Sequence, residues 1–246
     1  MILKLAEFDG QYLRYKRFLV GVDEAGRGAL AGDVVAAATC IGDSFYEDRS
    51  LLKSLAALDD SKKLDSRTRA ELFEKLENLR QNGILDFEAA SASVAEIESL
   101  NILGATKLAM RRAIEKLNDR GRLNLASSSA PATLFGEGIS DVSRAEVLID
   151  GVKLKNFPFR HFAIVKGDAN SLAIAAASVI AKVTRDRLME ALAPKYPQYG
   201  FEVHKGYGTP AHMQSLLIYG ASDVHRPSFL KNLREPDKKS VQGELF

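Results

Sequence analysis

The run Gly21-Val22-Asp23-Glu24-Ala25-Gly26-Arg27-Gly28 is the most informative stretch of the sequence. Its two adjacent carboxylates follow an apolar run, residues 18–22, that predicts a β-strand. Because neighbouring residues on a strand point to opposite faces, both carboxylates can serve one site only if the strand ends here and the chain turns. Glycine permits such a turn. The stretch therefore predicts hard oxygen ligands beside a cationic loop, which suits a divalent metal next to a phosphate or a sugar.

The composition restricts the class of protein. The 246 residues are 46% hydrophobic and 27% charged, which suits one sizeable globular domain. The single cysteine, Cys40, cannot form an internal disulfide, which fits a reducing compartment. No apolar run approaches the length of about 20 residues that a membrane span needs, and no signal-peptide core is visible. We expect a cytoplasmic, monomeric protein without a membrane segment. The net charge of +2 neither demands nor excludes nucleic acid.

Apolar periodicity and turn residues predict alternating strands and helices. The predicted strands span 18–23, 33–41, 84–92, 146–150 and 162–165. Helices are predicted after a Ser66 cap, from Ser93, over 101–117 and over 171–192, with a helical turn inside 44–58 and further turns over 209–219. This order predicts an α/β fold, a mixed sheet with helices on its faces. We expect one domain over 1–230, with an inserted loop over 118–143, and a flexible tail over 231–246.

A second acidic position repeats the pattern of the opening stretch. Asp150, like the Asp23-Glu24 pair, lies at the carboxyl end of a predicted strand and just before a glycine. In open α/β sheets, binding sites assemble at that edge. The long helix adds a polar stripe with spacings of seven, four and four residues: Ser171, Ser178, Lys182 and Asp186.

Asp23, Glu24, Asp150 and Asp186 together would form an all-oxygen site, which favours Mg²⁺ or Mn²⁺. Crowded carboxylates repel each other unless cations lie between them. Two ions about 3.5–4 Å apart are the usual arrangement in enzymes that cleave phosphodiesters. The alternative is that these residues are separate surface carboxylates and a helix-end salt bridge.

Several blocks of the sequence resemble type 2 ribonucleases H, the ribonuclease HII family. The opening stretch resembles the family signature, and further blocks follow in the family's order over roughly 18–230: Asp60-Ser61-Lys62-Lys63-Leu64, Ile149-Asp150-Gly151, Lys166-Gly167-Asp168, residues 174–186 and His204-Lys205-Gly206-Tyr207-Gly208-Thr209. The resemblance implies a ribonuclease H-like fold, a five-stranded mixed sheet flanked by helices, with a helical carboxyl-terminal region. It also implies cleavage of RNA in RNA–DNA hybrids and of single ribonucleotides embedded in duplex DNA.

Family roles carry over to the matching residues. The resemblance implies that Asp23, Glu24 and Asp150 bind metal and that Asp186 is the fourth active-site carboxylate. The backbone of Gly26-Arg27-Gly28 would contact the 2′-hydroxyl, the group that distinguishes RNA from DNA. Tyr207 would pack on the sugar of the adjoining deoxynucleotide.

We expect two-metal hydrolysis on the 5′ side of a ribonucleotide, giving 3′-hydroxyl and 5′-phosphate ends. One ion would be held by Asp23 and Asp150 with help from Asp186, and the second would lie near Glu24. Arg27 is suited to hold a phosphate with its fork of donors.

Other polar residues have two interpretations each. Four lysines are candidates either for phosphate contacts or for structural ion pairs: Lys62, Lys63, Lys166 and Lys182. Three histidines near the last block are candidates for a general base, although a structural role is favoured: His204, His212 and His225.

The last five residues, Gln242-Gly243-Glu244-Leu245-Phe246, are similar to the Gln-x-x-Leu-Phe peptides that bind bacterial sliding clamps. The critical positions are Gln242, Leu245 and Phe246, because an exposed Leu-Phe pair on a tail can dock in an apolar pocket. The alternative is an ordinary frayed terminus.

Two other classes of function remain open at this stage. One is a different two-metal nuclease on the same fold, and the other is a non-catalytic nucleic-acid-binding module. The second class is disfavoured, because four negative charges beside phosphates would not increase the affinity of a pure binding module for nucleic acid. Type HIII enzymes usually carry an extra amino-terminal domain, and the roughly twenty residues before Asp23 argue against that type.

Overall fold

A five-stranded sheet forms the centre of the computed structural model, which describes residues 2–14, 16–58, 64–121, 123–125 and 143–231. The strands are β1 (Phe18–Ala25), β2 (Val34–Gly42), β3 (Leu85–Ala92), β4 (Ala145–Asp150) and β5 (Phe162–Ile164). Their order is β3-β2-β1-β4-β5. The β1–β2 and β2–β3 pairs are antiparallel, and the β1–β4 and β4–β5 pairs are parallel. The predicted mixed α/β sheet is confirmed.

The helices surround this sheet. They are α1 (Ile2–Leu13), α2 (Asp43–Glu47), α3 (Arg49–Ser54), α4 (Ser66–Gln81), α5 (Val94–Asn118), α6 (Gly167–Asn170), α7 (Leu172–Leu192), α8 (Phe201–His204), α9 (Pro210–Tyr219) and α10 (Pro227–Leu230), with a 3₁₀ turn at Ala193–Lys195. The carboxyl-terminal region is helical, as expected. No helix in the described part of the chain combines the length and hydropathy needed to cross a membrane.

Two apolar cores cover the two faces of the sheet. Helices α1, α3, α4 and α7 pack on one face, and α5 packs on the other. Because both faces are covered, β1 and β2 are buried almost throughout, and their sequences are continuous apolar runs.

Helix α7 approaches β1 closely at Gly21. A side chain at Gly21 would overlap the backbone of Ala173, so only glycine fits there. The hydroxyl of Thr39 on β2 donates to the carbonyl of Ala173 at 2.6 Å. These contacts set the height of α7 above the sheet and thereby aim its polar stripe at the end of β1.

Most predicted element boundaries agree with the structure within one or two residues. Asp65, not Ser66, caps α4, because the Asp65 side chain accepts from the Thr68 amide at 2.7 Å. The predicted break before 101–117 is present as a kink in α5 at Asn101, which has φ 57° and whose side chain accepts from two following amides. Segment 44–58 forms two short helices rather than one helical turn.

Helix α1 was not among the predicted elements. Its buried positions follow helical spacing, but one of them, Asp9, is an acid that conceals the apolar face. The predicted insertion over 118–143 falls mainly outside the described residues, as does the tail over 231–246.

Candidate active site

A cavity of about 320 Å³ opens where β1 and β4 end beside α7. The residues that line it are Asp23, Glu24, Ala25, Gly26, Arg69, Asp150, Asp168, Ser178, Val179, Lys182 and Tyr207. Three of the four predicted carboxylates therefore share one cavity with the first glycine of the predicted hydroxyl-reading turn and with the predicted aromatic residue.

The shape of the sheet edge explains how adjacent carboxylates reach one cavity. The predicted strand ends at Asp23, and this end is wrong by two residues, because β1 continues to Ala25 and pairs there with β2. Its pairing with β4, however, runs only as far as Val22 and Ile149. Beyond that point, in the part of the chain that the structure describes, one side of β1 has no neighbouring strand. The open edge, rather than a turn, gives access to both carboxylates.

Asp23 lies at the bottom of the cavity and is 6% exposed. Its carboxylate accepts hydrogen bonds from its neighbour's amide, at 2.7 Å, and from the Ser178 hydroxyl on α7. Burial, followed by the negative charges of Glu24 and Asp150, raises the pKa of Asp23 well above its usual range, although the Ser178 bond opposes this. A carboxylate in this position gains most from a bound cation.

Glu24 lies closer to the surface and pairs with the exposed Arg27, at 3.1 Å between Oε1 and Nη1. Burial raises the pKa of Glu24, the Arg27 pair lowers it, and the charge of Asp150 raises it further. The two acidic strands therefore affect each other electrostatically.

Asp150 ends β4 and accepts a hydrogen bond from the Gly167 amide at 2.6 Å. That amide points back at the carboxylate because Lys166 adopts the left-handed conformation, with φ 55° and ψ 44°. The Lys166 side chain is exposed and is not among the cavity-lining groups of the described residues. Asp168 follows on α6 and lines the cavity.

The stripe on α7 is only partly at the site. Ser178 and Lys182 line the cavity, and the Lys182 ammonium donates to the Asp186 carboxylate at 2.7 Å. Asp186 thus lies one helical turn beyond the lining residues, attached to them through Lys182. Ser171 does not belong to the site. It caps the far end of α7, where its side chain accepts from the Ile174 amide.

Tyr207 faces two cations of α7. Its ring centroid lies 5.4 Å from the Lys182 ammonium and 5.2 Å from the Arg185 guanidinium, distances at which a cation and an aromatic face attract. The ring is therefore held beside the cavity before any ligand binds.

Two buried arginines hold the loop that follows β1. Arg185 donates to the carbonyls of Ala31, Asp33 and Lys205, and Arg226 donates to those of Arg27, Ala29 and Gly32. Burial lowers the pKa of both guanidinium groups, that of Arg226 to about 10. The carbonyl groups of this loop therefore point towards the two buried guanidinium groups. Neither arginine is among the predicted site residues.

The three histidines form one buried structural cluster, as favoured. The His212 ring bonds the Tyr207 carbonyl at 3.0 Å through Nδ1 and the His225 ring at 3.0 Å through Nε2. His204 bonds the Tyr199 carbonyl and accepts from the Gly206 amide. None of them lines the cavity, so the cluster supports the Tyr207 segment from behind.

The donor set suits a divalent cation in its chemistry. The cavity offers buried carboxylate oxygens that raise each other's pKa, and Mg²⁺ and Mn²⁺ prefer such oxygens. Within the described ranges, no group of three or more His, Cys, Asp or Glu side chains is close enough to hold one ion as the side chains stand. Glu24 is paired with Arg27 instead, at 3.1 Å.

Several site residues were missing from the predicted set. These are Ser178, Arg69 and Asp168, all of which line the cavity. The sequence offers a signal for two of them, because Ser178 belongs to the polar stripe of the long helix and Asp168 ends the block Lys166-Gly167-Asp168. No pattern in the sequence points to Arg69. Five predicted residues lie outside the described part of the chain: Lys62, Lys63, Gln242, Leu245 and Phe246.

Comparison with known proteins identifies the family. The family profile described as Ribonuclease HII matches residues 20–232. A ribonuclease HII from Fusobacterium nucleatum is 41% identical over 232 residues, which cover 94% of this chain and 93% of that protein.

Two solved structures share the fold. In the PCNA:RNase HII complex from Archaeoglobus fulgidus, the similar chain has a TM-score of 0.62 at 21% identity, covering 91% of this chain and 99% of that one. Bst-RNase HIII in complex with Mn²⁺ has a TM-score of 0.54 at 18% identity, covering 84% and 64%. The family match and the close relative decide the assignment: this chain belongs to the ribonuclease HII family and is a ribonuclease H endonuclease, a metal-dependent hydrolase that acts on RNA–DNA substrates.

Proposed function

We propose that the cavity between β1, β4 and α7 is the active site, and that it cuts on the 5′ side of ribonucleotides. The substrates would be the RNA strand of RNA–DNA hybrids and single ribonucleotides embedded in duplex DNA, with 3′-hydroxyl and 5′-phosphate ends as products. The observation that carries the proposal is the shared cavity, which holds three carboxylates beside Gly26 and Tyr207.

Asp23, Glu24 and Asp150 would hold two divalent ions, Mn²⁺ or Mg²⁺, with Asp186 as the fourth carboxylate. Bound ions of this kind activate water and neutralise charge on the phosphate. Burial raises the pKa of Asp23 and of Glu24, and the charge of Asp150 raises both further, which supports this assignment because bound cations would favour the ionised carboxylates. Glu24 would have to leave its 3.1 Å pair with Arg27, which would release that guanidinium for a phosphate.

Hydrogen bonds orient the side chains of Asp23 and Asp150. The Gly167 amide holds Asp150 at 2.6 Å, and the Ser178 hydroxyl holds Asp23. Because both bonds fix the side chains before the substrate binds, less conformational entropy has to be lost when the reaction takes place. Lys182 holds Asp186 in the same way.

The turn Gly26-Arg27-Gly28 and the ring of Tyr207 would recognise the sugars at the cleavage point. Because the Arg27 carbonyl accepts from Arg226 and the Gly26 carbonyl from the Ala29 amide, the backbone amides of Gly26-Arg27-Gly28 would contact the 2′-hydroxyl. Tyr207, already held by its cation contacts, would pack on the neighbouring deoxyribose. Phosphate contacts are assigned to Lys62, Lys63, Lys166 and Lys182.

The terminal residues Gln242, Leu245 and Phe246 would bind a sliding clamp. The PCNA complex of the Archaeoglobus protein lends this general support, since a protein of the same fold assembles with a clamp. Deletion of 242–246 should abolish clamp binding in a pull-down with purified clamp; unchanged binding would remove the assignment. We also propose that the protein is a cytoplasmic monomer.

The decisive experiment maps one nick. The purified chain is incubated with duplex DNA that carries a single ribonucleotide, with Mn²⁺, with Mg²⁺ or with EDTA. We expect a metal-dependent cut on the 5′ side of the ribonucleotide with a 3′-hydroxyl end. A cut elsewhere, a cut in EDTA, or equal cleavage of an all-DNA duplex would contradict the proposal.

A further inference from the structure

A stretch without any acidic residue separates the two acids of β4 and α6. Between Asp150 and Asp168 there is no Asp or Glu, whereas four cations occur: Lys153, Lys155, Arg160 and Lys166. All four side chains are exposed. None of them forms an ion pair with another described residue. A segment with four exposed cations and no acid has a positive local potential, which attracts anions such as phosphates.

The part of this stretch that connects β4 and β5, residues 151–161, is rigid. Phe157 and Phe159 are buried, 8% and 4% exposed, and both belong to the core that α5 covers. The His161 ring accepts from the Leu154 amide through Nε2 at 3.1 Å and bonds the Phe159 carbonyl through Nδ1 at 2.9 Å. Both ring nitrogens are thus used to fasten the loop to itself.

The cations of this loop surround one depression. Lys153, Lys155 and Arg160 line a surface cavity of about 830 Å³ together with the apolar residues between them. Lys107 of α5 attaches the loop to that helix, since its ammonium donates to the Lys155 carbonyl at 2.9 Å. The cations are therefore carried by a loop whose backbone is held in place.

The loop begins beside the cavity. Gly151, its first residue, directly follows Asp150, which lines the cavity. Phe157 and Phe159 attach the loop to the core that α5 covers, whereas Ser178 and Lys182 line the cavity from α7 on the other face of the sheet. The loop therefore continues the surface around the cavity on the face opposite α7.

We propose that the 151–161 loop is a second nucleic-acid site, in which Lys153, Lys155 and Arg160 bind backbone phosphates of the substrate duplex on one side of the cleavage point. The inference rests on the proposed function, because it needs a duplex in the cavity. The contacts are to phosphates, so they add affinity for duplex of any sequence and do not select the ribonucleotide.

Binding measured without metal tests the site directly. A K153Q/K155Q/R160Q variant is titrated in EDTA against a fluorescent duplex of about 30 base pairs with one central ribonucleotide. We expect binding roughly tenfold weaker than wild type near 0.1 M salt. The slope of log affinity against log salt should be smaller by on the order of 2 to 3, since each lost phosphate contact accounts for about 0.9.

Truncated duplexes locate the site. Two further duplexes are shortened to about four base pairs, some 14 Å at 3.4 Å per step, on the 5′ side or on the 3′ side of the ribonucleotide. The variant and wild type should bind equally to only one of them, the duplex that no longer reaches the loop.

A matched control removes the same charge elsewhere. Lys4, Lys53 and Lys75 are exposed on α1, α3 and α4, on the α7 side of the sheet. A K4Q/K53Q/K75Q variant should keep wild-type affinity and salt slope. Equal weakening in both variants, or an unchanged loop variant, would overturn the inference.

The test separates this inference from the proposed function. If wild type makes no nick at the ribonucleotide, the proposed function fails. If wild type nicks normally and the loop variant binds every duplex as wild type does, only the second site is wrong.

Discussion

The side chain of Arg185 packs directly against the α-carbon of Gly26, in the space that a side chain at position 26 would occupy. Gly26 also has φ 92°, a region that residues with a Cβ rarely adopt. The same guanidinium donates to Ala31 and Lys205 and lies 5.2 Å from the Tyr207 ring centroid. One buried arginine therefore joins the turn after β1 to α7 and to the Tyr207 segment.

The two glycines of the turn should respond differently to substitution. Gly26→Ala places a methyl group on Arg185 and forces a strained φ, so we expect a loss of about 2 kcal/mol or more in unfolding free energy. Gly28→Ala meets nothing within 4 Å and should change stability by less than about 0.5 kcal/mol. Urea unfolding measures both, and comparable losses would contradict the packing described here.

Asp150→Asn should separate chemistry from folding. The asparagine oxygen can still accept the Gly167 amide, so the end of β4 should keep its shape. Loss of a ligand charge should lower kcat at least about a hundredfold, or roughly 2.7 kcal/mol. Glu146→Gln, on the same strand but away from the cavity, serves as the control. Near-normal turnover of D150N with Mn²⁺ or Mg²⁺ would exclude Asp150 as a ligand.

The ring of Tyr207, rather than its hydroxyl, should matter for the substrate. The ring faces Lys182 and Arg185, and packing of an aromatic ring on a nucleotide accounts for about 1–3 kcal/mol. Tyr207→Ala should therefore lower kcat/KM at least about fivefold, while Tyr207→Phe stays near wild type. Steady-state kinetics on the single-ribonucleotide duplex decides. A Phe variant as poor as the Ala variant would assign the role to the hydroxyl.

The histidine cluster should make stability fall in mild acid. The Ser222 amide donates to Nδ1 of His225, and the Tyr207 carbonyl requires a proton on Nδ1 of His212, so the network is satisfied when both rings are neutral. Burial lowers the pKa of His212 and lowers that of His225 to about 4.

A lowered histidine pKa means that the unfolded chain binds the proton first. The contribution is complete above about pH 6.5, the unfolded value, and is lost as the pH falls towards 4. We expect unfolding free energy to drop by on the order of 2 kcal/mol over this window. His225→Asn should be less stable at pH 8 but should show a flatter profile. An identical slope in wild type and variant would show that other groups are responsible.

Asp9 should act in the opposite direction. It is fully buried, and it accepts from the Ala173 amide and the Tyr46 hydroxyl at 3.0 and 2.9 Å. Burial, only partly offset by these bonds, raises the pKa of Asp9 to about 6. The folded chain therefore binds the proton more tightly, so its contribution falls as the pH rises from about 4 to 6.

Asp9→Asn removes this titration. Its stability relative to wild type should be more favourable at pH 8 than at pH 5, as measured by urea unfolding at both values. A relative stability that does not change with pH, or that changes with the opposite sign, would refute the assignment. Glu7→Gln, an exposed change on the same helix, should show no such dependence.

The residues of the site could be predicted because they occur in short sequence motifs. Asp23, Glu24, Asp150 and the α7 stripe sit at strand ends and at helical spacing, which alternation of apolar and polar residues reveals. The mixed sheet followed from the order of these elements and from the family resemblance. Helix α1 was not predicted because its buried face contains Asp9, an acid whose burial is explained only by its partners Ala173 on α7 and Tyr46 on α2.

The sequence alone therefore predicts which residue types would carry the chemistry, since strand ends, turns and helix faces are set by neighbours along the chain. Tertiary structure was needed for everything that depends on distant partners. It showed that an unpaired edge of β1 exposes Asp23 and Glu24 together, and that Arg185 of α7 holds Gly26. These contacts join residues more than a hundred positions apart or depend on where a strand ends, and no local periodicity encodes them.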